Sequence, residues 1–203
     1  MKKKKLINPR GYLSWTQISL WLRSPELYKR HYFYGEDEYK NERMDFGSKV
    51  STALETGEES DDVLVNMLIT LLPKYSVPEC EIQVPFMTPY GEVVLLGKMD
   101  TYRPEPVAFR EYKTGTTKWT QKMAEGHKQL DHYTAILWLL SKKIPQCHLD
   151  WAETKVEDGV VTLAGPIKSF EVKKTVKSIL QYLAIAGRVA KEIDEAYRKE
   201  LGI

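Results

Sequence analysis

The 203-residue chain predicts an α/β (α+β) fold, with a central mixed β-sheet flanked by helices and an N-terminal helical segment. Three observations carry that prediction. Apolar residues recur at helical spacing through about residue 75. The period then drops to two across residues 81–113, and a helix, further strands and a long amphipathic helix follow. No internal repeat, low-complexity block or long linker interrupts the chain. One domain over 1–203 is therefore expected, helical over about 13–75 and sheet-bearing over about 78–203.

Each element has a local cause. Ser14 is a helix N-cap, followed by Trp15, Ile18, Leu20, Trp21 and Leu22 at near-helical spacing. Ser24-Pro25-Glu26 restarts a helix, with serine as cap, proline in the first turn and an acid at the positive end. Residues 45–54 read as a third helix, and Ser60 or Asp61 caps a fourth running to about 72, before Pro73 and Pro78. Residues 81–87 and 92–99 alternate as strands around the turn Thr88-Pro89-Tyr90-Gly91, and 107–113 form a third strand set off by Pro104 and Pro106. One long helix is expected over 121–140. Strands are expected over 147–155 and 160–163, around a turn at Glu157-Asp158-Gly159. A final amphipathic helix over 175–201 is expected to turn Ile179, Leu180, Leu183, Ile185, Val189 and Ile193 inward.

Bulk composition excludes several classes. No apolar run approaches the roughly 20 residues of a membrane span, and the basic N-terminus has no apolar stretch after it. No membrane partner and a cytoplasmic location are the expectation. Two cysteines, Cys80 and Cys147, build no disulfide framework and no four-cysteine cluster. The net charge of +2 gives little overall attraction to nucleic acid, so charge placement decides that question. The lysine run at residues 2–5 can touch phosphates or stand as a solvated tail.

The residues that carry chemistry are Gly97-Lys98-Met99-Asp100 and Arg110-Glu111-Tyr112-Lys113. Strand alternation puts Glu111 and Lys113 on one face, and pairing through the 101–106 connection brings Asp100 beside Glu111. Two carboxylates and the Tyr112 backbone carbonyl are hard oxygen donors that suit Mg²⁺ or Mn²⁺. Such a cation acidifies water and polarises a phosphoryl group. The two acids favour the ammonium form of Lys113, so it is expected to orient water and offset charge instead of acting as a base. An acid-x-lysine triplet alone is common on solvated strands. Downstream residues decide between the readings.

Those residues are Gln129 and Tyr133, four apart and hence on one helix face. Together with Gly97-x-x-Asp100 and Glu111-x-Lys113, in this order, they resemble the PD-(D/E)XK nuclease superfamily. The closest resemblance is to its RecB-like exonuclease branch, of the phage-encoded or CRISPR-associated type. Residues 13–32, with Ser14, Ser24-Pro25 and Tyr28, resemble that branch's opening segment. The resemblance implies a restriction-endonuclease-like core with Asp100 and Glu111 as metal ligands and Lys113 as the catalytic lysine. Gln129 and Tyr133 would hold the DNA strand or brace the lysine strand, and Glu81 is a candidate extra acid. Ser51 stands where many members carry a histidine ligand; serine is a poor direct ligand but can hydrogen-bond a water. No iron–sulfur cluster is expected from two cysteines. Lys118 and Trp119, in the loop leaving the lysine strand, are candidates for phosphate contact and base stacking.

The expected activity is divalent-metal-dependent hydrolysis of DNA by an exonuclease, in recombination, repair or phage DNA processing. The expected partners are DNA ends or single strands, with a homo-oligomer or a recombination protein possible. The alternative is a nuclease-fold DNA-binding module or adaptor that does not cut.

Overall fold

The computed structural model describes residues 5–36, 42–157 and 160–203, with the side chains of 42–45 and 157 outside that description. Residues 2–4 of the lysine run and the Asp158-Gly159 turn lie outside the described residues. The element order is β1 (Leu13–Ser14), α1 (Trp15–Arg23), α2 (Pro25–Tyr32), α3 (Glu42–Thr56), α4 (Val63–Leu71), β2 (Val77–Thr88), β3 (Gly91–Arg103), β4 (Ala108–Gly115), α5 (Gln121–Gly126), α6 (Lys128–Ser141), β5 (Gln146–Glu157), β6 (Val160–Leu163), β7 (Lys168–Glu171) and α7 (Val176–Leu201).

The expected mixed sheet with flanking helices is what the chain forms. β2 and β4 run antiparallel to β3, while β1 is parallel to it; β5 is parallel to β4 and antiparallel to β6 and β7. One face buries Phe109, Leu130, Tyr133, Leu137, Leu149 and Trp151 beneath α6. The other packs Tyr112 and Ala152 under α3 and α4, against Phe46, Val50, Val65 and Leu68. The inward stripe of α7 (Ile179, Leu183, Val189 and Ile193, with Ile185 partly buried beside them) joins Ile18, Leu95 and Ile136 in a third cluster, but Leu180, also expected inward, is exposed because it lies about 100° around the helix from Ile179.

Several boundaries depart from the sequence expectation, for local reasons. The helix expected over 121–140 breaks at His127, which is extended (φ −74°, ψ 111°) and follows Gly126, a residue that weakens helices by about 1 kcal/mol. The fourth helix is capped by Asp62, not Ser60 or Asp61: its carboxylate accepts from the Leu64 and Val65 N–H groups. β1 and β7 are two and four residues long, too short for a periodicity to register. The capping box of α7, Thr175 with Ser178, and the left-handed Gly202 (φ 70°) bound that helix where its pattern places it.

Close approach of α6 to the sheet requires Gly97. A Cβ there would lie 2.9 Å from Ile136 Cδ1 and 3.2 Å from Tyr133 Cδ1. Gly97→Val is expected to cost about 1–3 kcal/mol in urea unfolding, since both neighbours are already packed.

Behind Tyr133, His132 is fully buried. Its Nε2–H donates to the Leu96 carbonyl (2.8 Å), and Nδ1 accepts from the Tyr182 hydroxyl (2.7 Å). Burial pulls this imidazole down to about 4. The unfolded chain takes up a proton below about pH 6.5 that the folded chain refuses, so stability is lost as pH falls from 6.5 toward 4. Between pH 7 and pH 5 the wild type is expected to lose about 2 kcal/mol more than His132→Gln, read by urea titration at each pH.

Candidate active site

The site opens where one edge of β3 changes partners. β3 pairs with β1 at Leu95 and Leu96, and with β4 from Thr101 onward. Residues 97–100 have no ladder partner on that edge, because β4 splays away. The Asp100 carboxylate enters the gap and accepts the Tyr112 N–H at 2.6 Å. In a strand the N–H and C=O of one residue point to the same side, so the Tyr112 carbonyl also faces this gap.

Glu111 and Lys113 share the α6 face of β4. The Lys113 ammonium donates to Glu111 Oε1 at 2.5 Å and to Gln129 Oε1 at 2.8 Å. Gln129 in turn donates to the Tyr133 hydroxyl at 2.8 Å, and the Tyr133 ring meets Phe109 edge-on, centroids 5.7 Å apart. The chain Lys113–Gln129–Tyr133 ties the lysine to a packed helix.

Burial raises the Asp100 carboxyl well above the usual carboxylate range. The neighbouring Glu111 adds to this, while the Tyr112 N–H and Lys113 act in the opposite sense. Glu111 is likewise raised by burial and held down by Lys113. Two mutually repelling acids, Glu111 buried and Asp100 half-buried, are an arrangement that a bound cation relieves. Glu111 Oε2 is buried with no hydrogen-bond partner. That oxygen, Asp100 and the Tyr112 carbonyl form a hard-oxygen donor set that fits Mg²⁺ or Mn²⁺. Among the described residues no group of three or more His, Cys, Asp or Glu side chains is placed to hold a metal. A cation here would rest on the two acids and the carbonyl.

The extra acid is not Glu81. That residue is exposed, and its carboxylate is 3.4 Å from the Gln83 amide. Glu79 lies nearer, and its negative charge acts on both Asp100 and Glu111. The hairpin register explains why. Pro78 pairs with Thr101 and Cys80 with Met99, so Glu79 stands opposite Asp100, and Glu81 pairs with Lys98 farther along the strand. Counting back from the Thr88–Gly91 turn would have located it.

Glu79 is nearly enclosed (side chain 3% exposed) and has φ +32°, unusual for a residue with a Cβ. Ser51 Oγ donates to its Oε1 (2.5 Å), and the Lys98 ammonium lies 2.5 Å from Oε2 and 3.2 Å from Glu55. Ser51 thus secures Glu79 through its proton, and the lone pairs of its oxygen can still accept from a water.

The loop residues divide. Lys118 is exposed. Trp119 is half-buried, packs on the core beneath α6 and meets the His127 ring edge-on at 5.1 Å, which favours core capping over base stacking.

No helix among the described residues is long and apolar enough to cross a membrane. No protein-family model matches the chain, and neither does any curated protein. Among solved structures, the fold is similar to a protein named "Putative exonuclease" from Eubacterium rectale, at TM-score 0.62 and 12% identity, covering 93% of this chain and 83% of that one. It is also similar to the protein SSO0001, at TM-score 0.54 and 13% identity, covering 92% of this chain and 78% of that one. At these identities the likeness is one of fold.

Proposed function

We propose that this chain is a Mg²⁺- or Mn²⁺-dependent deoxyribonuclease, an exonuclease of the RecB-like PD-(D/E)XK type acting in recombination, repair or phage DNA processing. The observation that carries the reading is the meeting of Asp100, Glu111 and Lys113 in one gap of the sheet, with a buried Glu111 oxygen left unpartnered. Likeness of fold to the E. rectale protein supports it.

Asp100, Glu111 and the Tyr112 carbonyl would hold the cation. When bound, it supplies Lewis-acid polarisation of the phosphoryl group and acidifies a water. Lys113, held by Glu111 and Gln129, orients the attacking water and offsets charge as the new P–O bond forms and the ester P–O bond breaks in line. Its fixed position means little reorganisation is needed at the moment of reaction.

The test is incubation of single-stranded, double-stranded, branched and circular DNA with each metal. Cutting that depends on metal, spares the circles and is lost in Glu111→Ala supports the exonuclease. All substrates uncut in both metals contradicts it. The non-cutting module gains weight from Ser51, which stands where the resembled branch carries a histidine ligand. In that case wild type and Glu111→Ala bind DNA alike, with no metal dependence in either.

A further inference from the structure

We propose that the cavity beside the lysine brace binds one phosphate-bearing nucleotide of a single DNA strand; the inference rests on the nuclease reading above. The cavity has a volume of about 250 Å³. That is room for a small ligand and not for a base pair. Its wall includes Arg10, Tyr12, Thr16, Tyr32 and Lys98, and no acidic residue lines it.

The wall chemistry matches the two parts of a nucleotide. Lys98 is already held by Glu79 and Glu55. Arg10 is exposed, its guanidinium lies 5.4 Å from the centroid of the Tyr32 ring, and among the described residues it pairs with no carboxylate. It is the cation left to meet a phosphate, and its planar fork suits that anion. The half-buried ring of Tyr12 offers a face to a base, which stacks irrespective of its identity, while the Tyr32 ring is already packed against Tyr28 (centroids 4.6 Å apart) and under the Arg10 guanidinium.

The cavity also communicates with the chemistry. Gln129 and Tyr133 line it, and Gln129 is the residue that accepts the Lys113 hydrogen bond. A nucleotide seated there sets the adjoining phosphodiester beside Lys113. The cavity would then act as a register stop, fixing which bond is presented for cutting.

Binding without cutting separates this proposal from the one it rests on. Fluorescein-labelled oligothymidylates, 5′-phosphorylated, 3′-phosphorylated or closed into a circle, are titrated by polarisation in EDTA. Arg10→Glu is expected to weaken wild-type binding at least about 10-fold. Loss of one phosphate contact should also reduce the slope of log affinity against log salt by about 0.7. Thr16→Glu, which adds an acid on an exposed helix position at the cavity wall, is expected to act in the same direction. Preference for one phosphorylated end assigns a terminal phosphate, and equal binding of the circle assigns an internal one; both support the cavity. Binding by both variants within twofold of wild type, with unchanged thermal melts, overturns it, as does absence of wild-type binding. Arg10-sensitive binding without any metal-dependent cutting keeps the cavity and removes the hydrolase. Cutting with Arg10-insensitive binding does the reverse.

Discussion

Lys113→Ala is expected to lower the single-turnover rate of DNA cleavage about 10²–10³-fold, with DNA affinity in EDTA changed far less. The large effect follows from where the ammonium is held. It is fixed between Glu111 (2.5 Å) and Gln129 (2.8 Å). A group preorganised in this way stabilises charge that develops only during reaction, so its loss falls on the rate and not on binding. Gln129→Leu removes one tether and leaves the lysine, and a smaller loss in rate is expected. If Lys113→Ala cuts at the wild-type rate, the lysine has no part in the chemistry.

Arg110→Met is expected to carry the largest stability cost, about 3–5 kcal/mol, read as a drop of roughly 10 °C in melting temperature. Arg110 alternates with Glu111 on β4, and one guanidinium nitrogen donates to both oxygens of Asp150 at 2.9 Å each. Asp150 is fully buried on β5, so the substitution strands a carboxylate inside the sheet. The double variant Arg110→Met/Asp150→Leu removes both charges and should recover much of the loss. An Arg110→Met protein as stable as wild type would mean the pair contributes little to joining β5 to β4, the strand that carries the lysine.

Most of the fold was legible in the sequence because its elements obey their own periods. The caps at Ser14 and Ser24, the start of the last helix at 175 and the turn at 88–91 stand where the sequence puts them. Asp100, Glu111 and Lys113 come together as strand pairing and alternation implied, and Gln129 and Tyr133 join them, a placement that only the family resemblance suggested. What was not legible depends on register and splay. Glu79 was overlooked because strand periodicity was read only from residue 81, although the hairpin extends to Val77. Ser51 could not be assigned to Glu79 from sequence, since α3 and β2 meet only in the folded chain. The burial of Trp119 follows from packing beneath α6, which local propensity does not report, whereas the break at His127 follows Gly126, a helix weakener already visible in the sequence.

The central claim is that Asp100, Glu111 and the Tyr112 carbonyl share one hard cation. Anomalous diffraction from crystals grown with Mn²⁺ tests it most directly. A manganese peak coordinated by both carboxylates, and absent in Glu111→Ala, is the predicted result. Crystals of the wild type with no peak in the gap between β3 and β4, or with manganese held only elsewhere, would contradict it.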